Sequence, residues 1–343
     1  MRTDVAIAGA GFAGLGLAYY LKESGMNSLL VDKRAIGSHR SSACGMPEYL
    51  AGQLAPSSIL HSVDTVCIET NRLRRSVRLP ERYCTVDYSG FCRSVFRNSG
   101  ARFLKAEVRG GTSNSLDTSL GRIDADFVAD CTGWARVLSK GSPRPRRIIT
   151  AMEITVPIRK EHEGRLNFFV DKGTVPGYGW IFPVGKGMGR VGAGGGCGSV
   201  PVSKYFMKFL ERVGIPFEPS EITGGGIPCS GLRPAYENGI FFVGDSASQV
   251  LPLSAEGIKP TFYFAKECAF AIAAAHSGAI GRAQAAQAYS RKTSEASAAF
   301  TLLHAAQEGM LAFPQPFFDA GLWLAFGPLK NRFLEYYLSI ARP

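Results

Sequence analysis

Gly9, Gly11 and Gly14 stand in the string Gly9-Ala10-Gly11-Phe12-Ala13-Gly14, and Asp32 ends the apolar run that follows it. Glycines at this spacing suit a dinucleotide. The first permits a tight turn, the second lets a pyrophosphate approach the backbone, and the third lets helix and strand pack closely. A helix opening at this loop turns its free N–H groups toward the phosphates, and the Asp32 carboxylate can accept ribose hydroxyl protons. A second group lies far along the chain. Gly244-Asp245 ends the apolar string Gly239-Ile240-Phe241-Phe242-Val243, and Pro252-Leu253-Ser254-Ala255-Glu256-Gly257-Ile258 follows. Asp245 at a strand end can fix a ribityl and pyrophosphate region, while Gly257 and Ile258 offer backbone N–H groups to the pyrimidine edge of an isoalloxazine. Simple NAD-binding folds lack this second element, so the pair specifies FAD.

These groups need elements to hold them. Residues 4–8 read as a buried strand, 15–24 as a helix and 28–32 as a second strand, a βαβ unit around the glycine loop. Residues 125–134 read as a further strand running into the turn Cys131-Thr132-Gly133-Trp134, a third approach of backbone to the cofactor. The cofactor-binding domain is therefore discontinuous, over 1–68, 84–148 and 236–275. A β-rich substrate-binding domain takes 69–83 and 149–235, with strands expected over 148–158, 166–170, 179–184 and 190–195. Residues 276–343 form a helical C-terminal region, with breaks expected at Pro314, Pro316 and Pro328. The fold class is α/β: a Rossmann-like FAD-binding domain with an inserted antiparallel β-sheet domain and C-terminal helices.

Composition narrows the partners. A formal charge of +11 favours anionic ones. The basic runs over 71–78 and 144–147 lack the interleaved aromatics of a nucleic-acid platform, so no nucleic acid is expected. Eight cysteines show no CxxC pair and no histidine spacing that would hold a metal. No G-x-S-x-G elbow marks a serine nucleophile. The strand at residues 4–8 follows Met1 closely, with no leader expected, which points to the cytoplasm. The apolar stretch over 310–326 is interrupted by Pro314, Gln315, Pro316 and Asp319, so it is not expected to span a bilayer, although it suits a peripheral contact with an anionic membrane.

Tyr178, Trp180 and Phe182 alternate along an expected strand, which puts all three on one side of a sheet as an apolar, electron-rich wall. Together these strings resemble the geranylgeranyl reductase family, flavoproteins related in fold to p-hydroxybenzoate hydroxylase. Four pieces carry the resemblance over most of residues 1–260: the glycine loop, Arg40-Ser41-Ser42-Ala43-Cys44-Gly45, Tyr178-Gly179-Trp180-Ile181-Phe182-Pro183, and the Gly244-Asp245 to Ile258 segment. Two positions depart from the family, Asp32 for its commoner Glu and Asp87-Tyr88 where it often has Asp-Arg.

The resemblance implies an FAD-dependent reductase that saturates C=C bonds of geranylgeranyl chains in lipids or prenyl diphosphates. It places Cys44 at the reactive face of the flavin, as a proton donor or relay or as a pocket wall, beside Gly45. The catalytic candidates are Cys44, Tyr178 and Trp180, and the substrate wall is Tyr178, Trp180 and Phe182. The cofactor set adds Lys33 and Arg40 to the residues already named, Arg40 for a flavin phosphate or a substrate headgroup. No second dinucleotide fingerprint is present, which leaves NAD(P)H and a redox protein such as ferredoxin open as electron donor. Two rival readings are a flavin monooxygenase or halogenase of the same superfamily and a non-catalytic prenyl-binding carrier. The first is opposed by the absence of a histidine after Gly244-Asp245-Ser246-Ala247, the second by the intact cofactor strings.

Overall fold

The computed structural model describes residues 1–39, 42–139, 145, 147–170, 177–195, 201–216 and 222–343. Two eight-stranded sheets organise them. The first runs Tyr236–Glu237, Ile240–Phe242, Gly121–Asp130, Arg2–Ala8, Ser28–Asp32 and Arg102–Lys105, with a hairpin, Val108–Thr112 and Ser115–Thr118, on the flank of Gly121–Asp130. Its inner pairs are parallel. A parallel strand covered on both faces must be apolar throughout, and Val5, Ala6, Ile7 and Ala8 are all fully buried. Helix Phe12–Lys22 packs on helix Ile258–His276, close enough that a Cβ on Gly16 would stand 2.9 Å from the Phe262 ring.

The second sheet runs Thr223–Pro228, Ile148–Pro157, Met188–Gly195, Gly179–Gly185, Leu166–Phe169, Ile59–Glu69, Arg74–Val86 and Gly45–Pro47. It is antiparallel except where Leu166–Phe169 runs beside Ile59–Glu69. Alternation along Gly179–Gly185 gives the sheet two different faces. Ile181 packs with Val191, Phe206, Phe209 and Leu210 under helix Val202–Val213, whereas Trp180 and Phe182 belong to a cluster with Leu334 and Leu338 of helix Lys330–Ser339.

The expected strands at 28–32, 148–158, 166–170, 179–184 and 190–195 form within a residue or two of those bounds. Helix Val202–Val213 lies inside the stretch read as β-rich; the spacing of Phe206, Phe209 and Leu210 carries a helical face that the surrounding glycines obscured. Gly45–Pro47 and Ile59–Glu69, placed with the cofactor part from sequence, hydrogen-bond into the second sheet. The chain breaks at Pro314, between helices Arg282–Ala312 and Gln315–Ala325, whereas Pro316 does not interrupt a helix. Pro314 precedes helix Gln315–Ala325 and Pro316 sits in its first turn, where the missing N–H costs no bond. Pro328 likewise falls between two helices. No helix of the described residues is long and apolar enough to cross a membrane.

Candidate active site

A single cavity of about 1330 Å³ runs between the sheets and the C-terminal helices. One end is made of backbone. Gly9 has a φ of +100°, and a Cβ there would lie 2.3 Å from the Cys131 carbonyl oxygen, so the first strand turns directly over the end of Gly121–Asp130. A Cβ on Gly14 would lie 2.0 Å from the Gly9 carbonyl oxygen, while one on Gly11 would meet nothing within 4 Å. The outer glycines are thus demanded by packing, and the middle one faces open cavity where a pyrophosphate would lie. Gly11 precedes helix Phe12–Lys22 without a side-chain cap, and Gly257 precedes helix Ile258–His276 in the same way. Two positive helix ends therefore face one cavity.

Asp32 accepts from the Ala10 N–H at 2.9 Å and from the Arg34 N–H at 2.9 Å, which fixes its carboxylate at the cavity edge. Lys33 lines the cavity too and is exposed. Gly244, at φ +73°, allows the Asp245 turn to close on the glycine loop, since a Cβ there would stand 2.8 Å from Ala13 Cβ. Burial pushes the Asp245 carboxyl up to about 6. A hydroxyl-rich ligand would satisfy that carboxylate, and the open space at Gly11 admits a phosphate. These residues fit FAD.

The other end is made of side chains. Tyr178, Trp180 and Phe182 all line it, with Phe168 set edge-on to Tyr178 and Phe182 at centroid distances of 5.3 and 5.2 Å. The Tyr178 hydroxyl donates to the Ser254 carbonyl at 2.6 Å, tying the wall to the turn before Gly257. The Trp180 indole N–H donates to Glu153 Oε2 at 2.8 Å. Cys44 is fully buried, adopts a left-handed φ of +57°, and donates its thiol to the Ser42 carbonyl at 3.1 Å. Next to it, a Cβ on Gly45 would meet the Phe182 ring at 3.2 Å, so the Cys-Gly element and the aromatic wall are in contact. Arg190 holds that element by donating to the Ala43 and Val86 carbonyls at 2.7 and 2.8 Å. Arg40 lies outside the described residues.

Sequence reasoning missed a polar cluster whose Tyr83, Glu256 and Tyr337 line the cavity. Glu256 accepts from the Tyr83 hydroxyl at 3.3 Å and from the Tyr337 hydroxyl at 2.6 Å, with Lys259 Nζ at 3.8 Å. Lys259 is fully buried and donates to the Tyr337 and Leu338 carbonyls at 3.2 and 3.4 Å. Burial, then the charge of Glu256, holds both phenols well above their ordinary value, and burial lowers the Lys259 ammonium against the pull of Glu256. Glu256 was legible as part of its motif. Tyr83 and Tyr337 gave no signal, because an aromatic on a strand or an amphipathic helix reads as core. Asp87, the residue before the departing Tyr88, caps helix Tyr88–Ser99 by accepting from the Ser89 and Gly90 N–H groups.

A family model for FAD-dependent oxidoreductases matches residues 4–89, the stretch that holds the glycine loop, Asp32 and Cys44. The chain is an FAD-dependent oxidoreductase. The digeranylgeranylglycerophospholipid reductase 1 of Methanosphaera stadtmanae is 25% identical to this oxidoreductase over 290 residues, covering 75% of the chain and 72% of the relative. Among solved structures, a geranylgeranyl bacteriochlorophyll reductase-like protein from Thermoplasma acidophilum superposes with a TM-score of 0.82 at 19% identity, over 93% of this chain and 90% of that one. A probable FAD-dependent monooxygenase from Pseudomonas aeruginosa gives 0.70 at 15% identity, over 91% and 97%. Both structural likenesses show the fold.

Proposed function

We propose that this oxidoreductase saturates C=C bonds in geranylgeranyl or related polyprenyl chains, carried by a lipid or a prenyl diphosphate. The observation that carries the reading is the continuity of the glycine-built end with the aromatic end in one cavity of about 1330 Å³. One small-molecule site commonly takes ~300–1,000 Å³, so the cavity has room for a cofactor and an apolar second ligand. The name of the Methanosphaera relative, a digeranylgeranylglycerophospholipid reductase, supports the same substrate class.

When bound, FAD in its reduced form supplies the hydride. The residues of the chain supply the rest. An isolated prenyl double bond is unpolarised, so hydride addition at one carbon needs a proton at the other or stabilisation of developing positive charge. The faces of Tyr178, Trp180 and Phe182 oppose that charge and hold the chain in an apolar setting. Cys44, against this wall through Gly45, holds a thiol proton beside the same space. Gly9, Gly11, Gly14, Asp32, Lys33, Gly244, Asp245, Gly257 and Ile258 bind the cofactor in this reading. Electrons arrive from NAD(P)H or a ferredoxin-like protein. The exposed Phe313, Phe317, Trp323 and Leu324, close in sequence to Lys330 and Arg332, suit peripheral contact with an anionic membrane.

The test is anaerobic incubation of the reduced protein with a geranylgeranyl lipid or diphosphate, followed by mass spectrometry. Products heavier by two hydrogens per double bond are expected. Unreduced substrate with either donor, or oxygen consumption coupled to NAD(P)H oxidation, overturns the reading. Cys44→Ala keeps the left-handed backbone demand of the cysteine and is expected to retain FAD while slowing the reduction about tenfold or more.

A further inference from the structure

Trp180, Gly192 and Glu153 stand abreast on three neighbouring strands, Gly179–Gly185, Met188–Gly195 and Ile148–Pro157. Residues at matched register put their side chains on one face of a sheet, and Trp180 and Glu153 both line the cavity. The glycine between them is what lets them meet. A Cβ on Gly192 would stand 2.2 Å from Trp180 Cζ2 and 2.4 Å from Cε2, so the indole lies across the middle strand, where any side chain would block it. Its N–H reaches Glu153 Oε2 on the far strand at 2.8 Å. With the sheet beneath the ring, the 7% of Trp180 that stays accessible is offered to the cavity it lines.

The choice of acceptor is the telling part. An indole N–H needs an acceptor and nothing more, and a backbone carbonyl or a glutamine oxygen would satisfy it. Glu153 is only 3% exposed, and burying a carboxylate costs far more than burying an amide. What a carboxylate adds is charge. A hydrogen bond to an ionised acceptor is roughly twice as strong as a neutral one, and in surroundings of low dielectric it polarises its donor. Electron density pushed into the indole deepens the negative face that attracts cations. Tyr178 and Phe182 flank the same ring at centroid distances of 6.0 and 6.5 Å, so the carboxylate works at the middle of the aromatic wall.

We propose that Glu153 acts through Trp180: its carboxylate, bonded to the indole N–H, makes the aromatic chamber a site for positive charge carried on an apolar chain. This rests on the reading that the second ligand is a polyprenyl chain whose C=C bond gains positive character during reduction. It also gives the chamber a second class of ligand, isoprenoid ammonium ions. Glu153 is a positioning residue in this scheme, since it works through the ring.

Binding to the oxidised, FAD-loaded protein, followed by titration calorimetry, tests this without turnover. The probes are geranylgeraniol and a matched pair of its analogues, in which one internal branch point is a dimethylammonium nitrogen or a dimethyl carbon. The pair differs in charge alone, and it is prepared for each internal branch point in turn. At one position at least, the wild type should bind the ammonium no more weakly than its carbon twin. Glu153→Gln keeps an oxygen for the indole N–H, so geranylgeraniol and FAD should bind as before, while the preference for the ammonium over its twin falls about tenfold. In a Trp180→Phe background, which removes the indole N–H, Glu153→Gln should change the preference by less than about twofold. Weaker binding of the ammonium at every position in the wild type overturns the proposal, as does a preference unchanged in Glu153→Gln. An equal fall in the Trp180→Phe background also overturns it, because the carboxylate would then act without the indole. Should Glu153→Gln fail to fold, Trp180→Phe alone decides, and an undiminished preference there overturns the proposal. Failure of geranylgeraniol and all its analogues to bind overturns the polyprenyl reading as well, whereas binding of the neutral probes with no charge preference overturns this inference alone.

Discussion

The glycine cradle and the aromatic chamber share a cavity but are held in opposite ways. In the cradle, backbone meets backbone: an added Cβ at Gly14 or Gly9 would come within 2.0 or 2.3 Å of a carbonyl oxygen. In the chamber, side chains from distant segments converge, with Trp180 on Glu153, Tyr178 on the turn at Ser254, and Tyr83 and Tyr337 on Glu256. Backbone contacts admit one residue type and tolerate no change. Side-chain contacts can be exchanged one at a time, which lets one cradle serve different second ligands.

That contrast can be broken from either side. The largest effect is expected at Gly14→Ala, where the new methyl has only backbone to push against. Stability should fall by about 3 kcal/mol or more, read as a shift in the urea midpoint, and FAD should be lost; a variant of normal stability would show that the loop yields. Trp180→Phe should cost about 2 kcal/mol, because Glu153 loses the indole bond in a buried setting. FAD content should stay at the wild-type level, and depletion of FAD there would mean that the two ends are not separable.

Gly11→Ala sharpens the comparison within the cradle itself. A Cβ at this position meets nothing, so stability should change by about 1 kcal/mol at most while FAD affinity falls about tenfold. Unchanged affinity would remove the phosphate from that space. The last effect concerns pH. The Asp245 carboxyl sits at about 6 against an unfolded value of 3.8. Its contribution to the stability of the FAD-free protein is therefore fully present below the unfolded value and is lost as pH rises through the folded one. Melting temperature should decline over that window and FAD binding should strengthen across it, since ligand hydroxyls favour the carboxylate. Asp245→Asn should flatten both trends, and an identical slope in the variant would assign the titration to another group.

Legibility followed the same division. Gly9, Gly11, Gly14, Asp32 and Asp245 could be read because a backbone approach leaves few residue choices and fixed spacing. Tyr178, Trp180 and Phe182 were readable as one face through strand alternation. Glu153, Arg190, Tyr83 and Tyr337 were not, because each acts through a partner far away in sequence, and their residue types have commoner uses.

The interleaving of the two sheets bears on how the molecule is assembled. Ile240–Phe242 lies beside Gly121–Asp130 in the first sheet, while most strands of the second sheet are strung between them in sequence, and Ile59–Glu69 and Arg74–Val86 interrupt the first sheet again. No contiguous stretch of chain therefore carries the cradle alone. Pairings of such wide sequence separation form slowly, and the Asp245 turn depends on one of them. Recombination between relatives is constrained in the same way: a single crossover within the second sheet would unite strands of different parentage in both sheets at once, so new substrate preferences are more readily reached by point changes along the chamber wall.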